Sequence, residues 1–165
     1  TYRRMIRALG RLRLPVVLDA SGSALRQGLS ARPWLIKPNR LEAEELLGRR
    51  LRGIPHVVNA AARLLARGPV HVMISLGAEG AVLASSSSRR VLWARSPRVP
   101  VDSAVGAGDS LVAGFLIGWL RTRSLREAFR LGVACGAACV MTPGTELCHR
   151  KDVEHLLGRV TLRVL

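Results

Sequence analysis

The stretch Val101-Asp102-Ser103-Ala104-Val105-Gly106-Ala107-Gly108-Asp109-Ser110, with the apolar run Leu111 to Leu120 behind it, decides how the chain is read. Two glycines flank an alanine and an aspartate follows. Leu111, Val112, Phe115, Leu116 and Trp119 then recur at helical spacing. The pattern predicts a tight turn, open to Gly106 and Gly108 because they carry no Cβ, that feeds a helix after Asp109. The first N–H groups of such a helix lack intrahelical partners. Together with the positive end of the helix dipole they make a site for an anion, above all a phosphate. Asp109 stands at the mouth of that site, where the same field favours an ionised carboxylate able to take a proton from a hydroxyl. An anion hole and a base within one turn are the parts that phosphoryl transfer to an alcohol needs. An ordinary glycine-rich start to a core helix has the same spacing, so the loop alone leaves both readings open.

Outward from this stretch, apolar runs alternate with helical patterns. Tyr2 to Leu12 reads as a basic amphipathic helix with Met5, Ile6 and Leu9 on its apolar face. Pro15 to Asp19, Trp34 to Ile36 and Val70 to Leu76 read as buried parallel strands. Ser23 to Leu29 is a short helix between the first two. Lys37 lies at the C-terminal end of the second strand, the side of an open α/β sheet where ligands gather. Asn39 then caps a helix with Leu41, Leu46 and Leu47 on one face and Glu42, Glu44 and Glu45 at its start. This is a capped helix with acids at its positive end and, equally, a lysine, an amide and a carboxylate placed to meet phosphate and a hydrated Mg²⁺. Pro55 to Arg67 is a helix with Val57, Val58, Ala61, Leu64 and Leu65 inward. Ala81 to Ala84 and Val91 to Ala94 suit two antiparallel strands, joined by Ser85 to Ser88 and Arg89-Arg90 as a surface loop. Beyond the glycine turn, Ser124 caps a further helix, with Glu127 at its third position as in a capping box. Leu125, Ala128, Leu131, Val133, Ala134, Ala137 and Ala138 give that helix a small apolar face, suited to close packing of a neighbour or to a flat ring. Pro143-Gly144 ends it, and Lys151 to Leu157 is the last helix. No internal repeat and no interdomain linker is apparent, and the alternation indicates a doubly wound α/β layer.

Three stretches in order carry a family resemblance. Gly106-Ala107-Gly108-Asp109-Ser110 with its small-apolar helix resembles the C-terminal signature of the ribokinase-like (PfkB) carbohydrate kinases. Lys37-Pro38-Asn39-Arg40-Leu41-Glu42 resembles the family's Asn-x-x-Glu element in the form used by its phosphosugar branch, and Ser75-Leu76-Gly77-Ala78-Glu79-Gly80 its nucleotide loop. Gly144-Thr145-Glu146-Leu147-Cys148 is similar to the minor 6-phosphofructokinase branch, which neighbours 1-phosphofructokinase and tagatose-6-phosphate kinase. The resemblance implies a ribokinase-like three-layer α/β/α sandwich, of which residues 1–165 are the nucleotide-binding and catalytic half, without the N-terminal sugar-binding half and lid. It implies ATP-dependent phosphorylation of a sugar-phosphate hydroxyl, fructose 6-phosphate first, by a protein that is a homodimer at full length. Asp109 is then the base, and Gly106, Ala107 and Gly108 with the Asp109 amide form the anion hole. Lys37 and Asn39 meet nucleotide phosphates. Ser75, Gly77 and Gly80 line the nucleotide site, with Val133 and Ala137 near the adenine. Glu42 acts through Mg²⁺ and water, and the backbone of Ser103 and Val105 holds a monovalent cation such as K⁺.

Composition bounds the alternatives. A 165-residue chain that is 48% hydrophobic can bury one sizeable core, which rules out general disorder. Leu111 to Leu120 is too short to span a bilayer, and no signal segment opens the chain. Thr1 in place of Met suggests that the natural start lies elsewhere. The formal net charge of +15 invites a nucleic-acid reading. Lysine occurs only at 37 and 151, however, the arginines are scattered, and the few aromatics supply no stacking platform. A coding bias towards arginine accounts for the charge without any function. Cys135, Cys139 and Cys148 are odd in number, which argues against a disulfide framework and for a reducing cytoplasm. Without a Cys-x-x-Cys pair they read as buried small apolar residues rather than zinc ligands. A nucleotide-binding module of the same fold without turnover is the competing functional reading. A dinucleotide-dependent dehydrogenase would need Gly-x-Gly-x-x-Gly after the first strand, and nothing of that form follows Asp19.

Overall fold

The computed structural model describes residues 2–165, with only the backbone of Arg89. The chain forms two compact units, one of residues 2–76, 82–91 and Leu165, the other of residues 77–81 and 92–164.

The first unit opens with helix α1 (Tyr2–Arg11), followed by β1 (Val17–Leu18), α2 (Gly22–Leu29), β2 (Leu35–Ile36), α3 (Arg40–Leu47), α4 (Gly53–Leu65), β3 (His71–Ser75) and most of β4 (Ala81–Ser85). Strands β1, β2, β3 and β4 are neighbours in that order. β1 and β2 run parallel with Val17 opposite Leu35 and Leu18 opposite Ile36, and β2 runs parallel to β3 with Leu35 opposite His71. Leu35, Ile36, Val72, Met73 and Ile74 are fully buried, as expected of parallel strands covered on both faces. α4 packs on β3 and buries Val57, Ala60, Ala61 and Leu64. Each large aliphatic side chain so buried contributes roughly 1.5–3 kcal/mol. His71 is also buried. Its ring meets Trp34 edge-on at 4.9 Å, its Nδ1 has no partner among the described residues, and burial pushes its pKa down to about 4, so it is neutral near pH 7.

Several expectations need correction in this unit. On α1 only Ile6 is buried, while Met5 and Leu9 face outwards. On α3 Leu41 is 62% exposed and Ala43 takes the buried place beside Leu46. The surface loop expected from Ser85 to Arg90 is a two-residue turn at Ser86-Ser87, because β5 (Ser88–Arg95) begins earlier than its apolar residues do. An antiparallel strand can carry polar residues where one face meets water. The side chain of Arg89 lies outside the described residues.

The second unit holds a 3-10 turn (Gly77–Glu79), the later half of β5, α5 (Ala107–Thr122), α6 (Leu125–Cys139), α7 (Arg150–Leu157) and β6 (Thr161–Val164). β6 was not expected. It pairs antiparallel with β5, with Trp93 opposite Arg163 and Ala94 opposite Leu162. α5 starts at Ala107, so Asp109 lies inside its first turn rather than ahead of it. α5 and α6 meet through small residues. A Cβ on Gly118 would lie 2.6 Å from the Ala128 Cα, and one on Gly132 would lie 2.7 Å from the Leu111 carbonyl oxygen. The closest face of α5 is therefore Leu111, Gly114, Phe115 and Gly118, while Val112, Leu116 and Trp119 keep part of their surface open. Ser124 caps α6 by accepting the Glu127 N–H at 3.3 Å. Among the described residues no helix is long and apolar enough to cross a membrane.

Candidate functional site

In the first unit the candidate residues collect at the carboxyl ends of β1, β2 and β3. The register that sets Leu18 opposite Ile36 carries one step on, so that Asp19 and Lys37 leave their strands side by side. Lys37 is buried, and its Nζ meets Asp19 Oδ2 at 3.2 Å. Asp19 was not singled out from the sequence. The equal spacing of the two strand ends, Leu18-Asp19 and Ile36-Lys37, was the available signal. Asn39 forms an isolated parallel bridge with Ser75, and Ser75 N–H donates to the Pro38 carbonyl at 3.0 Å, so these two expected residues are brought together.

Asn39 and Glu42 are already engaged with each other. Asn39 Oδ1 accepts the Glu42 N–H at 2.9 Å, and Glu42 Oε2 accepts the Asn39 N–H at 2.8 Å, a complete capping box. One oxygen of Glu42 is left for a water or an ion, which fits the one or two carboxylates with which a protein usually holds a phosphate-bound Mg²⁺. Glu44 has a structural task. The Leu51 N–H and the Arg50 guanidinium hold its carboxyl below the usual range and tie down the end of α3.

In the second unit the glycine turn is built as a left-handed start to α5. Gly106 has φ 77° and ψ −5°, a conformation strained for any residue with a Cβ. Ser110 N–H closes on the Gly106 carbonyl at 2.8 Å, and Ala107 N–H makes a long 3.4 Å bond to the Ala104 carbonyl. The amides of Gly108 and Asp109 have no hydrogen-bond partner among the described residues. Asp109 is exposed, and its carboxylate makes no ion pair or hydrogen bond among them. The turn itself is fixed by the end of α6. Asp102 N–H donates to the Val140 carbonyl at 2.8 Å, and Ser103 Oγ donates to the Gly144 carbonyl at 2.6 Å while accepting the Val105 N–H at 3.3 Å. Glu146 stands beside His149 at 3.3 Å. The backbone oxygens of Ser103 and Val105 lie on this braced loop, the donor type that a monovalent cation takes, although Val105 also accepts a weak bond from Cys139 at 3.5 Å.

The nucleotide-loop glycines divide. Gly77 has φ 59° with open space at its Cβ position. Gly80 has φ 92°, and a Cβ there would overlap the Ala94 carbonyl oxygen, so its close approach is to β5. Val133 and Ala137 are 2% and 5% exposed, which leaves little of either for a ligand. Cys135 and Cys139 are buried, burial first of all pushes the Cys135 thiol up to about 12, and no group of three metal-ligating side chains occurs among the described residues.

The model of the "pfkB family carbohydrate kinase" matches residues 1–152. Over 148 residues the chain is 40% identical to the 1-phosphofructokinase of Escherichia coli K12, covering 90% of this chain and 47% of that protein. Over 156 residues it is 39% identical to the ATP-dependent 6-phosphofructokinase isozyme 2 of Mycobacterium tuberculosis, covering 93% and 44%. The crystal structure of E. coli phosphofructokinase-2 in complex with potassium superposes with a TM-score of 0.88 at 32% identity, over 96% of this chain and 51% of that one. The ribokinase-like α/β class expected from the sequence therefore holds. The chain spans about half the length of the curated relatives it matches.

Proposed function

This chain belongs to the pfkB family of carbohydrate kinases, and on that premise we propose that it is the ATP-binding and catalytic half of a kinase for the hydroxyl of a phosphorylated fructose. The observation that carries the reading is the start of α5, where an exposed carboxylate and two amides without partners among the described residues share one helical turn. The substrate hydroxyl gives its proton to Asp109. Its oxygen attacks the terminal phosphorus of ATP, the bond from that phosphorus to the bridging oxygen breaks, and ADP leaves with the electron pair. The N–H groups of Gly108 and Asp109 donate to the phosphoryl oxygens as charge gathers there. Asp109 afterwards releases its proton to water. Lys37 and Asn39 are proposed phosphate contacts, with Asp19 fixing the lysine. Glu42 is the proposed holder of Mg²⁺ through its remaining oxygen, and Ser103 and Val105 of K⁺. When bound, Mg²⁺ neutralises phosphate charge.

Fructose 6-phosphate, giving fructose 1,6-bisphosphate, is the first proposed acceptor. The similarity to 1-phosphofructokinase favours fructose 1-phosphate as the second reading. The test is ADP release by the full natural polypeptide that carries this chain, with ATP and each of fructose 6-phosphate, fructose 1-phosphate and tagatose 6-phosphate. Turnover with a fructose phosphate is expected. ATP binding without turnover on any of them would leave a nucleotide-binding module.

A further inference from the structure

The loop proposed to meet the nucleotide is held from behind by a residue that neither the sequence reading nor the proposed mechanism uses. The 3-10 turn Gly77–Glu79 closes with Gly80 N–H donating to the Gly77 carbonyl at 2.9 Å. At its far end the Glu79 carbonyl accepts a bond from Trp93 Nε1 at 3.1 Å. The next residue, Gly80, lies so close to β5 that a Cβ would overlap the Ala94 carbonyl oxygen and stand 2.7 Å from the Ser96 nitrogen. The turn is therefore seated on β5 by a directed bond and a glycine-only contact at adjacent residues. The Trp93 ring is itself fixed, with the Arg95 guanidinium 5.6 Å from its centre and that of Arg163, its cross-strand partner on β6, at 5.8 Å. A tryptophan indole has only one hydrogen to donate, and this ring gives it to the Glu79 carbonyl.

We propose that Trp93 is a positioning residue for nucleotide binding, its indole N–H fixing the Gly77–Gly80 turn in the shape that receives ATP. The inference rests on the proposed assignment of this loop to the nucleotide. Two variants of the full natural polypeptide separate the hydrogen bond from the bulk of the ring. Trp93→Phe keeps an aromatic ring beside the two arginines and loses the donor. Trp93→His loses the outer ring but can place a ring N–H close to the position of Nε1. With ATP and the fructose phosphate that the wild type turns over, Trp93→Phe is expected to raise the KM for ATP about five- to tenfold, the weight of one hydrogen bond. Its kcat and its KM for the sugar phosphate stay within about twofold. Trp93→His is expected to bring the KM for ATP back to within about threefold of wild type. Calorimetric titration with ATP alone is expected to rank the dissociation constants in the same order. If wild type binds ATP and both variants bind it equally well, the inference falls and the nucleotide assignment stands. If both Michaelis constants and kcat move together in both variants, Trp93 is only a structural residue and the inference also falls. A wild-type protein that binds no ATP overturns the nucleotide assignment and this inference with it.

Discussion

Four helices of this chain carry an acid as their third residue, and two of them, α3 and α5, surround it in opposite ways. Glu42 and Asp109 are both the third residue of their helices, α3 and α5. At α3 the residue before the helix is Asn39, in extended conformation with φ −79° and ψ 177°. Its side chain and that of Glu42 consume each other's backbone N–H groups. At α5 the residue before the helix is Gly106, left-handed and without a side chain, so no described residue reaches back to the Gly108 and Asp109 amides. The backbone geometry and the missing side chain act together. One start spends its hydrogen-bonding capacity on stability, and the other leaves two amides and a carboxylate uncommitted among the described residues. Position in the helix does not decide whether an acid is engaged; the residue before the helix does.

The sharpest way to break this contrast is to neutralise the acid at α5. Asp109→Asn in the full natural polypeptide is expected to lower kcat by roughly 10²–10⁴-fold, the usual weight of a general base. The KM for ATP should change little, and the thermal midpoint should stay within a few degrees because the side chain is exposed. Steady-state kinetics and a thermal melt check this. Undiminished turnover would end the assignment of Asp109 as base.

A smaller effect tests the backbone half of the contrast. Gly106→Ala introduces a Cβ that would lie 3.6 Å from Cys139 Sγ, an ordinary contact, so its cost comes from the positive φ alone. The expected loss is about 1–2 kcal/mol, read from urea unfolding. Gly106→Asn should lose less than half of that, since asparagine tolerates the left-handed region better than other side chains. An alanine variant as stable as the wild type would show that the turn is not left-handed in solution.

How far the sequence revealed these differences depends on whether the deciding partner is local. The Asn39 cap is a matter of residues a few apart, and the sequence announced it, although not that Glu42 closes the box by reaching back. The order of strands and helices was legible for the same reason, since each element's periodicity lies within itself. What escaped reading depends on residues far along the chain. β6 is short and mostly exposed and has no identity as a strand until β5 lies beside it. The tight face of α5 includes Gly114 and Gly118, which periodicity does not score, because only the close approach of α6 requires them. Gly80 was visible as a glycine, but its close approach to Ala94 is a property of β5. Asp19 was hidden until the β1–β2 register set it beside Lys37.

The smallest expected effect sharpens the comparison from the α3 side. Asn39 is asked to do two things, to cap α3 and to meet a nucleotide phosphate, and two substitutions separate them. Asn39→Ala removes the acceptor for the Glu42 amide and is expected to cost about 1 kcal/mol of stability. Asn39→Asp keeps an equally good cap acceptor, so urea unfolding should find it within about 0.5 kcal/mol of wild type. The added negative charge, however, stands near the strand end that carries Lys37. If phosphate is bound there, the KM for ATP rises severalfold in a variant whose fold is intact. If it does not rise, Asn39 belongs wholly to the capping box, and the contrast between a start that stabilises and a start that reacts becomes complete.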